Sequence, residues 1–409
     1  MVCAKCLLTA SWFKLLIMKK HSRFIAAGII LFCGFTILSF RTPSPKEIVK
    51  TVPEIKVKKK APKIQVAILL DVSNSMDGLI EQAKAQLWNM VSVMGKATCD
   101  NVAPEIEIAL YEYGRSDNDV KVGYVKQLSG FTEDLDKLSQ TLFNIKTNGG
   151  DEYCGQVMYT SLKNLNWNDD TGNYKVIFIA GNEDFLQGNL RYTMACAEAK
   201  KKGVIINTIY CGDRQTGLQE HWNIMGECGG GSFTNINQDA KRDDIATPYD
   251  SVLFSLNEQL NNTYIAYGYS GRASMETQAK VDQMNYSMNK SVAAERVAVK
   301  GKKGLYKNER WDLVDAEDAD STFIAKVDMK TLPDSLQKKS RIELKQIVNA
   351  KNVQRSNLQS QIAGISIKRQ AYINAARANK NNGNNNATLE TEIEKIIKQQ
   401  AKLFNMVIQ

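Results

Sequence analysis

The sequence predicts an α/β fold with a doubly wound, mostly parallel sheet, preceded by a transmembrane helix and followed by a helical hairpin. Strand-like and helix-like apolar patterns alternate between residues 63 and 262. Such alternation is typical of a parallel sheet with helices on both faces. An uncharged stretch at residues 24–40 predicts the membrane helix, and amphipathic patterns after residue 335 predict the hairpin.

The amino-terminal segment has the pattern of a membrane anchor. Residues 24–40 carry no charge and follow the basic residues Lys19, Lys20 and Arg23. A spanning helix needs about 20 apolar residues, with about 17 as the lower end. Signal peptides have small residues before their cleavage site, and residues 38–40 (Leu-Ser-Phe) do not match that pattern. An uncleaved anchor is therefore favoured, with a buried core helix as the alternative.

This anchor sets the expected topology of a single-pass protein of the cell membrane. Basic residues before the apolar stretch favour a cytoplasmic location for residues 1–23, with Met18 as an alternative start. Residues 41–62 form a basic, proline-containing linker, which favours a semi-extended tether. The bulk of the chain is then expected on the extracytoplasmic (periplasmic) side.

The charge distribution argues against nucleic-acid binding. Residues 1–62 contain 12 Lys and Arg against 2 Asp and Glu, and residues 331–409 contain 13 against 5. Residues 63–330 contain 28 basic and 37 acidic side chains. An acidic domain repels phosphate backbones and suits divalent cations. The basic segments 1–62 and 331–409 either bind anionic lipid head groups or are simply exposed to solvent.

The central region, residues 63–262, supplies the elements of the sheet. Buried strands are predicted at residues 64–71, 105–113, 174–180, 204–210 and 232–236, and an edge hairpin strand at 120–128. Helices are predicted at 77–94, 133–145, 153–165, 190–201 and 248–262, from their apolar spacing. In such sheets, ligands bind at the carboxyl ends of the strands.

A short polar motif follows the first of these strands. Asp71, Ser73 and Ser75 place a carboxylate and two hydroxyls at alternating positions directly after the apolar run 64–70. Oxygen donors of this kind suit hard divalent cations. The alternative is a serine-rich turn that caps the next helix through Ser75 or Asp77.

This D-x-S-x-S motif resembles the metal-ion-dependent adhesion site (MIDAS) of the von Willebrand factor type A (VWA) domain, a Rossmann-like fold. Two further loops contribute to that site in the family, one with a threonine and one with an aspartate. Here Asp151 stands where the threonine is expected, with Glu152 beside it, and Asn182 stands where the aspartate is expected, next to Glu183. The glycine-rich loop that contains Asp151 is similar to that of bacterial, membrane-attached members.

The resemblance implies a bound divalent cation, with Mg²⁺ first and Ca²⁺ or Mn²⁺ as alternatives. The expected metal residues are those of the three loops, namely Asp71, Ser73, Ser75, Asp151, Asn182 and Glu183. In the family, a protein partner completes the coordination with an acidic side chain. A carboxylate from Asp151 would hold the ion more tightly and reduce its need for such a ligand. The loss of the third-loop carboxylate, replaced here by Asn182, would offset this effect and leave about the same total charge. The alternative is a degenerate site in which Asp71 only packs the loops.

Five cysteines follow the membrane segment: Cys99, Cys154, Cys196, Cys211 and Cys228. Cys154 and Cys211 both fall near the carboxyl edge of the predicted sheet, so they are the candidates for a disulfide. Cys196 falls in the middle of a predicted helix, where a small buried side chain is expected. Zinc and thioredoxin-like sites are disfavoured because this region contains no C-x-x-C.

Two segments follow the predicted domain. Residues 263–334 are aromatic-rich and are expected to dock onto the domain. Residues 335–409 form a helical tail with two amphipathic stretches separated by an asparagine-rich break at 381–386. A helical hairpin packed on itself or on the domain is expected, with a coiled-coil dimer as the alternative. The sequence leaves the oligomeric state open.

No catalytic set is visible, so the sequence predicts a protein that is not an enzyme. The two histidines are His21 and His221, and no G-x-S-x-G, H-E-x-x-H or P-loop motif occurs. The first hypothesis is a membrane-anchored protein-interaction module that uses a variant metal site. The alternative is an envelope scaffold with a vestigial metal site, in which the helical tail mediates binding.

Overall fold

The computed structural model describes residues 61–99, 102–240, 244–380 and 388–408. The predicted cytoplasmic segment (1–23), the predicted membrane segment (24–40) and nearly all of the predicted linker (41–62) lie outside these ranges. Within them, no helix combines the length and apolar character needed to cross a membrane.

Eight strands form two sheets in the described part of the chain. They are β1 (Lys63–Asp71), β2 (Ala97–Thr98), β3 (Glu105–Tyr113), β4 (Lys126–Thr132), β5 (Tyr174–Gly181), β6 (Ile205–Cys211), β7 (Gly230–Ile236) and β8 (Val407–Ile408). The large sheet has the order β4-β3-β1-β5-β6-β7, and β2 pairs with β8. Only β4 in the large sheet is antiparallel to its neighbour. The prediction of a mostly parallel sheet is confirmed.

Helices cover both faces of this sheet. In chain order they are α1 (Asp77–Met94), α2 (Leu135–Phe143), α3 (Cys154–Asn164), α4 (Tyr192–Lys202), α5 (Arg214–Gln219), α6 (Trp222–Cys228), α7 (Asp250–Asn261), α8 (Gly271–Met288), α9 (Lys290–Lys300), α10 (Leu313–Ala319), α11 (Phe323–Lys326), α12 (Asp334–Gln337), α13 (Arg341–Lys380) and α14 (Leu389–Ala401). Side chains of α1, α2, α9 and α14 fill the core on one face, and those of α3, α4 and α6 fill the core on the other.

Strand β1 shows why the sheet is buried on both faces. Successive side chains of a strand point to opposite faces. Accordingly Val66 and Leu70 belong to the first core, whereas Ala67 and Leu69 belong to the second, and all four are buried. The strand lies between β3 and β5. After β1 the chain builds β3 and β4 on one side of it, and then crosses to the other side to build β5, β6 and β7. The carboxyl end of β1 is therefore a topological switch point, where α/β sheets bind ligands.

The edge strand differs from the prediction in its position. A strand was expected at residues 120–128, but β4 begins at Lys126, and Val120–Val122 form a 3₁₀ turn. The cause is the left-handed backbone at Gly123 (φ 71°) and Tyr124 (φ 56°), which interrupts any extended segment. Strand β4 then pairs antiparallel with β3, as an edge hairpin strand.

The predicted helical tail splits between two places. Helix α13 packs against α7 and α10, whereas α14 packs against α1 and β7. Leu389, Ile393 and Ile396 of α14 are buried in the core on the α1 side of the sheet. Of the two hairpin arrangements that the sequence left open, the structure shows helices packed on the domain.

Buried ion pairs hold the segment after α7 against the sheet layer. Arg296 on α9 donates to Asp136 on α2 at 2.6 Å (Nη1 to Oδ1), and it also pairs with Asp282 on α8. Lys300 pairs with the same Asp282 at 2.8 Å. Arg296 and Lys300 are fully buried. Asp282, Arg296 and Lys300 therefore contact the sheet layer through charge, and apolar residues of α9 lie in the same core.

The disulfide prediction was wrong. The structure joins Cys196 to Cys228, with 5.7 Å between their Cα atoms, while Cys154 and Cys211 are free and buried. Both free thiols do lie near the carboxyl edge of the sheet, but on opposite faces. Cys154 packs in the core on the α3 side, and Cys211 packs in the core on the α1 side. The strands between them prevent a bridge.

Candidate metal site at the carboxyl edge of the sheet

The site is built around Asp71, the last residue of β1. The backbone N–H of Val72 still bonds to the carbonyl of Tyr113 at the end of β3 (2.9 Å), which fixes where the strand ends. The chain then turns into α1 through a 3₁₀ turn closed by the Met76 N–H and the Ser73 carbonyl (3.0 Å). This turn folds Ser73 and Ser75 back beside Asp71.

The hydroxyls of this first loop lie next to each other. The Ser73 N–H donates to Asp71 Oδ1 at 2.8 Å, and the Oγ atoms of Ser73 and Ser75 are 3.2 Å apart. The Gln238 side chain donates to the Ser75 carbonyl at 2.9 Å. The loop is therefore held in place from both sides, and the two hydroxyls and the carboxylate predicted from the sequence do come together.

The second carboxylate of the site belongs to Glu152. Asp71 is 0% exposed and Glu152 is 6% exposed. Both side chains lie against Gly114, where an added Cβ would be 2.8 Å from Glu152 Cγ and 2.9 Å from Asp71 Oδ1. Gly114 has a left-handed backbone (φ +80°), so the residue that makes room for both carboxylates also suits glycine conformationally.

Each buried carboxylate has one oxygen without a hydrogen-bond partner in the described part of the chain. These oxygens are Asp71 Oδ2 and Glu152 Oε2. An unpaired buried polar group is costly, and a buried charge more so, unless a counter-charge or a metal accompanies it. The pair therefore needs a proton or a cation.

The pKa shifts of the pair have the same origin. Burial raises the pKa of Glu152, and the charge of Asp71 adds to this effect. Burial also raises the pKa of Asp71, although hydrogen bonding from Ser73 opposes it. Glu183 raises the pKa of both groups through its charge. Without a cation, Glu152 is the group that holds a proton at neutral pH.

The third loop contributes an amide and a charge. Asn182 Nδ2 donates to Ser75 Oγ at 3.2 Å, which places this amide beside the first loop. Glu183 is exposed, and its carbonyl accepts from Trp222 Nε1 at 2.8 Å. Its carboxylate is close enough to act on Asp71 and Glu152 through its charge.

Asp151 differs from its neighbour Glu152 in exposure. Its side chain is exposed and accepts a hydrogen bond from the Tyr153 hydroxyl at 3.1 Å. Burial alternates along the segment before α3, where Glu152 and Cys154 are buried, whereas Asp151 is exposed and Tyr153 is half-buried. The apolar Cys154 two residues after Glu152 is the signal in the sequence that distinguishes Glu152 from Asp151.

The donor set fits a hard divalent cation. Two carboxylates, two hydroxyls and a nearby amide are all oxygen ligands of the kind that Mg²⁺, Ca²⁺ and Mn²⁺ prefer. Among the described residues, no three His, Cys, Asp or Glu side chains group tightly enough to hold an ion by themselves. Any cation here would therefore depend on the serine hydroxyls as well as on the carboxylates.

Solved structures of other proteins match part of the chain. One match is proximal thread matrix protein 1 from the mussel byssus, whose structure is described as having a zinc-occupied MIDAS motif. It is 14% identical to this chain, with a TM-score of 0.33, over 43% of this chain and 42% of that one. The SpRpn10 VWA domain matches at 17% identity and a TM-score of 0.32, over 42% of this chain and 88% of that one. An aerotolerance-related membrane protein from Bacteroides fragilis NCTC 9343 matches at 15% identity and a TM-score of 0.30, over 43% and 93%.

The chain spans about 42% of the length of the mussel protein that it matches. No protein-family model matches the sequence, and no curated protein is similar to it. Two of the matched structures are described as VWA or von Willebrand factor type A domains.

Proposed function

We propose that this chain is a protein-interaction module whose partner binds at a divalent-cation site formed by Asp71, Ser73, Ser75 and Glu152. The observation that carries the proposal is the pair of buried carboxylate oxygens without donors, Asp71 Oδ2 and Glu152 Oε2. They lie beside two hydroxyls at the switch point of the sheet. Mg²⁺ is the first candidate for the ion, because it is bound by few carboxylates together with other oxygen ligands.

The residues of the chain have separate tasks in this proposal. Asp71 supplies a carboxylate that the Ser73 N–H holds in one orientation. Asn182 and Gln238 keep Ser75 in position through their amides. When bound, the cation neutralises the two buried charges and offers a Lewis-acidic contact to an oxygen of the partner.

The proposed role is binding without catalysis. His221 is the histidine in the described part of the chain, and its Nδ1 lies 3.1 Å from Asp184 Oδ1 on a half-exposed loop. Asp184 and His221 do not lie beside a serine or cysteine nucleophile in any of the described hydrogen bonds. The buried thiols, Cys154 and Cys211, have pKa values raised well above the usual range by burial, which makes them unreactive.

We also propose that the module is held at the outer side of a cell membrane by residues 24–40. The disulfide between Cys196 and Cys228 supports this location, since disulfides persist in oxidising compartments. A single-pass anchor and the linker at residues 41–62 would then present the metal site to partners outside the cytoplasm.

A scaffold role is the second candidate, and helix α13 favours it. This helix exposes several large apolar side chains, namely Ile342, Val353, Ile367 and Tyr372. Exposed apolar surface of this kind is found at protein interfaces. In the scaffold role, binding would be carried by α13 and would not depend on Asp71.

Thermal unfolding of the full chain with and without Mg²⁺ or Mn²⁺ tests the metal site. We expect the ions to raise the Tm of the wild type and of Asp151→Asn, because a ligand of the folded state stabilises it by about 2.7 kcal/mol at 100 times Kd. Asp71→Asn and Glu152→Gln should not respond. A Tm that is insensitive to the ions and to chelator in the wild type would contradict the metal site.

Partner capture from native membranes separates the two candidate functions. The interaction module predicts partners that are lost from Asp71→Asn and from the wild type in chelator, but retained by Asp151→Asn. The scaffold role predicts that partners are lost from a Val353→Glu, Ile367→Glu double variant. In that role, chelator and Asp71→Asn should leave partner binding unchanged.

A further inference from the structure

We propose that Glu152 lets the site hold its cation without a carboxylate from the partner, so that the partner presents a neutral oxygen there. The neutral oxygen would come from a hydroxyl, a side-chain amide or a backbone carbonyl. This inference rests on the proposed function, because it concerns the partner chemistry of the same site.

The first step is the charge of the ligands. Asp71 and Glu152 are both more than nine-tenths buried and each has a free oxygen. Together their two negative charges match those of a divalent cation, and a more highly charged ligand set binds such ions more tightly. A site with one buried carboxylate would leave one positive charge for a partner to neutralise, whereas this one leaves none.

The second step is that Glu152 is fixed in position. The next residue, Tyr153, packs its ring against Gly188, where an added Cβ would be 2.8 Å from the ring. The rings of Tyr153 and Tyr124 also meet edge to face, with 5.8 Å between their centres. On its other side, Glu152 is confined by Gly114. The side chain is therefore part of a preformed site and does not swing in from the surface.

The third step is the surface that an approaching partner meets. Glu183 adds a further negative charge next to the pair. Arg115 cannot offset that charge freely, because it is paired with Asp117 at 2.9 Å. Exposed Asn74 and half-buried Asn182 offer neutral amides at the same edge. A partner carboxylate would meet net repulsion there, whereas a neutral oxygen would meet hydrogen-bond donors and acceptors.

Mn²⁺ binding by the full chain, measured by electron paramagnetic resonance with and without millimolar acetate, tests this inference. Acetate is the probe for a partner carboxylate, and chloride at equal ionic strength is its control. The variants are Glu152→Thr, which replaces the carboxylate by a hydroxyl, and Asp151→Thr, which makes the same change at the exposed neighbour. Circular dichroism establishes that each variant is folded.

We expect the wild type and Asp151→Thr to bind Mn²⁺ with an affinity that acetate does not change. Glu152→Thr should bind about 10- to 100-fold more weakly, and acetate should recover part of that loss. An acetate effect of the same size in the wild type and Glu152→Thr, including none in either, would overturn the inference and leave the proposed metal site standing. A wild type that binds no Mn²⁺ would overturn both.

Discussion

Gln400, near the carboxyl end of the chain, accepts a hydrogen bond from the hydroxyl of Tyr174 at the start of β5, at 2.9 Å. Its amide nitrogen also donates to Asn207 Oδ1 on β6 at 2.7 Å. All three side chains are buried. Helix α14 is thus joined to two central strands by polar contacts as well as by its apolar face, although the helical segment α7 to α13 separates it from the large sheet in sequence.

Replacing Gln400 by alanine should destabilise the sheet itself. The change leaves the Tyr174 hydroxyl and the Asn207 amide buried without this partner, at about 1–3 kcal/mol for each group left unsatisfied. Urea denaturation of the full chain should show the loss in the free energy of unfolding. Gln399→Ala is the matched control, because Gln399 is exposed on the same helix. Equal losses in the two variants would mean that Gln400 does not anchor α14.

The sequence predicts the local elements well where a pattern has one interpretation. The apolar spacing that follows Asp71 predicts a helix at residues 77–94, and α1 occupies those residues. The alternation at 105–113 likewise matches β3. The amphipathic pattern of α14 predicts a buried face but contains no information about the surface it covers. The docking of α14 on the sheet therefore appears only in the tertiary structure.

The site was predicted in part for the same reason. Asp71, Ser73 and Ser75 follow one another in a turn, so their grouping is a local property of the chain. Glu152 comes from a loop far along the sequence, and its place depends on which residues of that loop are buried in the folded domain. Similarity to the family pattern favoured Asp151, whereas the alternation leading to buried Cys154 selects Glu152.

Two left-handed glycines allow a test of how tightly the site is packed. Gly114 (φ +80°) lies against both carboxylates, whereas Gly230 (φ +70°) has nothing within 4 Å of an added Cβ. Alanine at either position should cost about 1–2 kcal/mol of backbone strain. Gly114→Ala should in addition displace Glu152 and Asp71, and should therefore weaken Mn²⁺ binding.

Urea denaturation and Mn²⁺ titration of both variants check this prediction. Gly230→Ala should lose stability but keep the Mn²⁺ affinity of the wild type. If Gly114→Ala binds Mn²⁺ as well as Gly230→Ala does, the two carboxylates are not confined as the structure shows.

The buried pairs of Asp282 predict how stability depends on pH. Burial alone would raise the pKa of Asp282, but the charges of Arg296 and Lys300 outweigh it and hold the pKa well below its usual value. Below about pH 4, the ordinary pKa of an aspartate, the unfolded chain therefore binds a proton that the folded chain does not. The stability supplied by Asp282 is fully present above that pH and is lost as the pH falls through the folded pKa.

Denaturation of Asp282→Asn at several pH values measures this contribution. At neutral pH the variant should lose about 3–5 kcal/mol, because Lys300 is left buried without its counter-charge. Its stability should then fall less steeply than that of the wild type as the pH drops below about 4. Glu394→Gln, which breaks an exposed pair with Lys398, should cost less than about 1 kcal/mol. Parallel acid profiles for the wild type and Asp282→Asn would contradict this account.

The disulfide between Cys196 and Cys228 predicts a response to reductant. It joins α4 to the end of α6 across a sequence separation of 32 residues. Closing a loop of this length restricts the unfolded chain, with a stabilisation of about 3–4 kcal/mol. The Cys196→Ser, Cys228→Ser double variant should therefore unfold at lower urea than the wild type, and reductant should lower the wild type to the level of the double variant.

Cys99→Ser provides the control for this experiment, because Cys99 is a free, half-buried thiol. This variant should remain as sensitive to reductant as the wild type, whereas the double variant should lose that sensitivity. Thiol titration of the unfolded wild type should gain two reactive groups after reduction. If reductant releases those groups without lowering the stability, the bridge does not restrict the unfolded chain. If Cys154→Ser abolishes the sensitivity instead, the pairing that the structure shows is wrong.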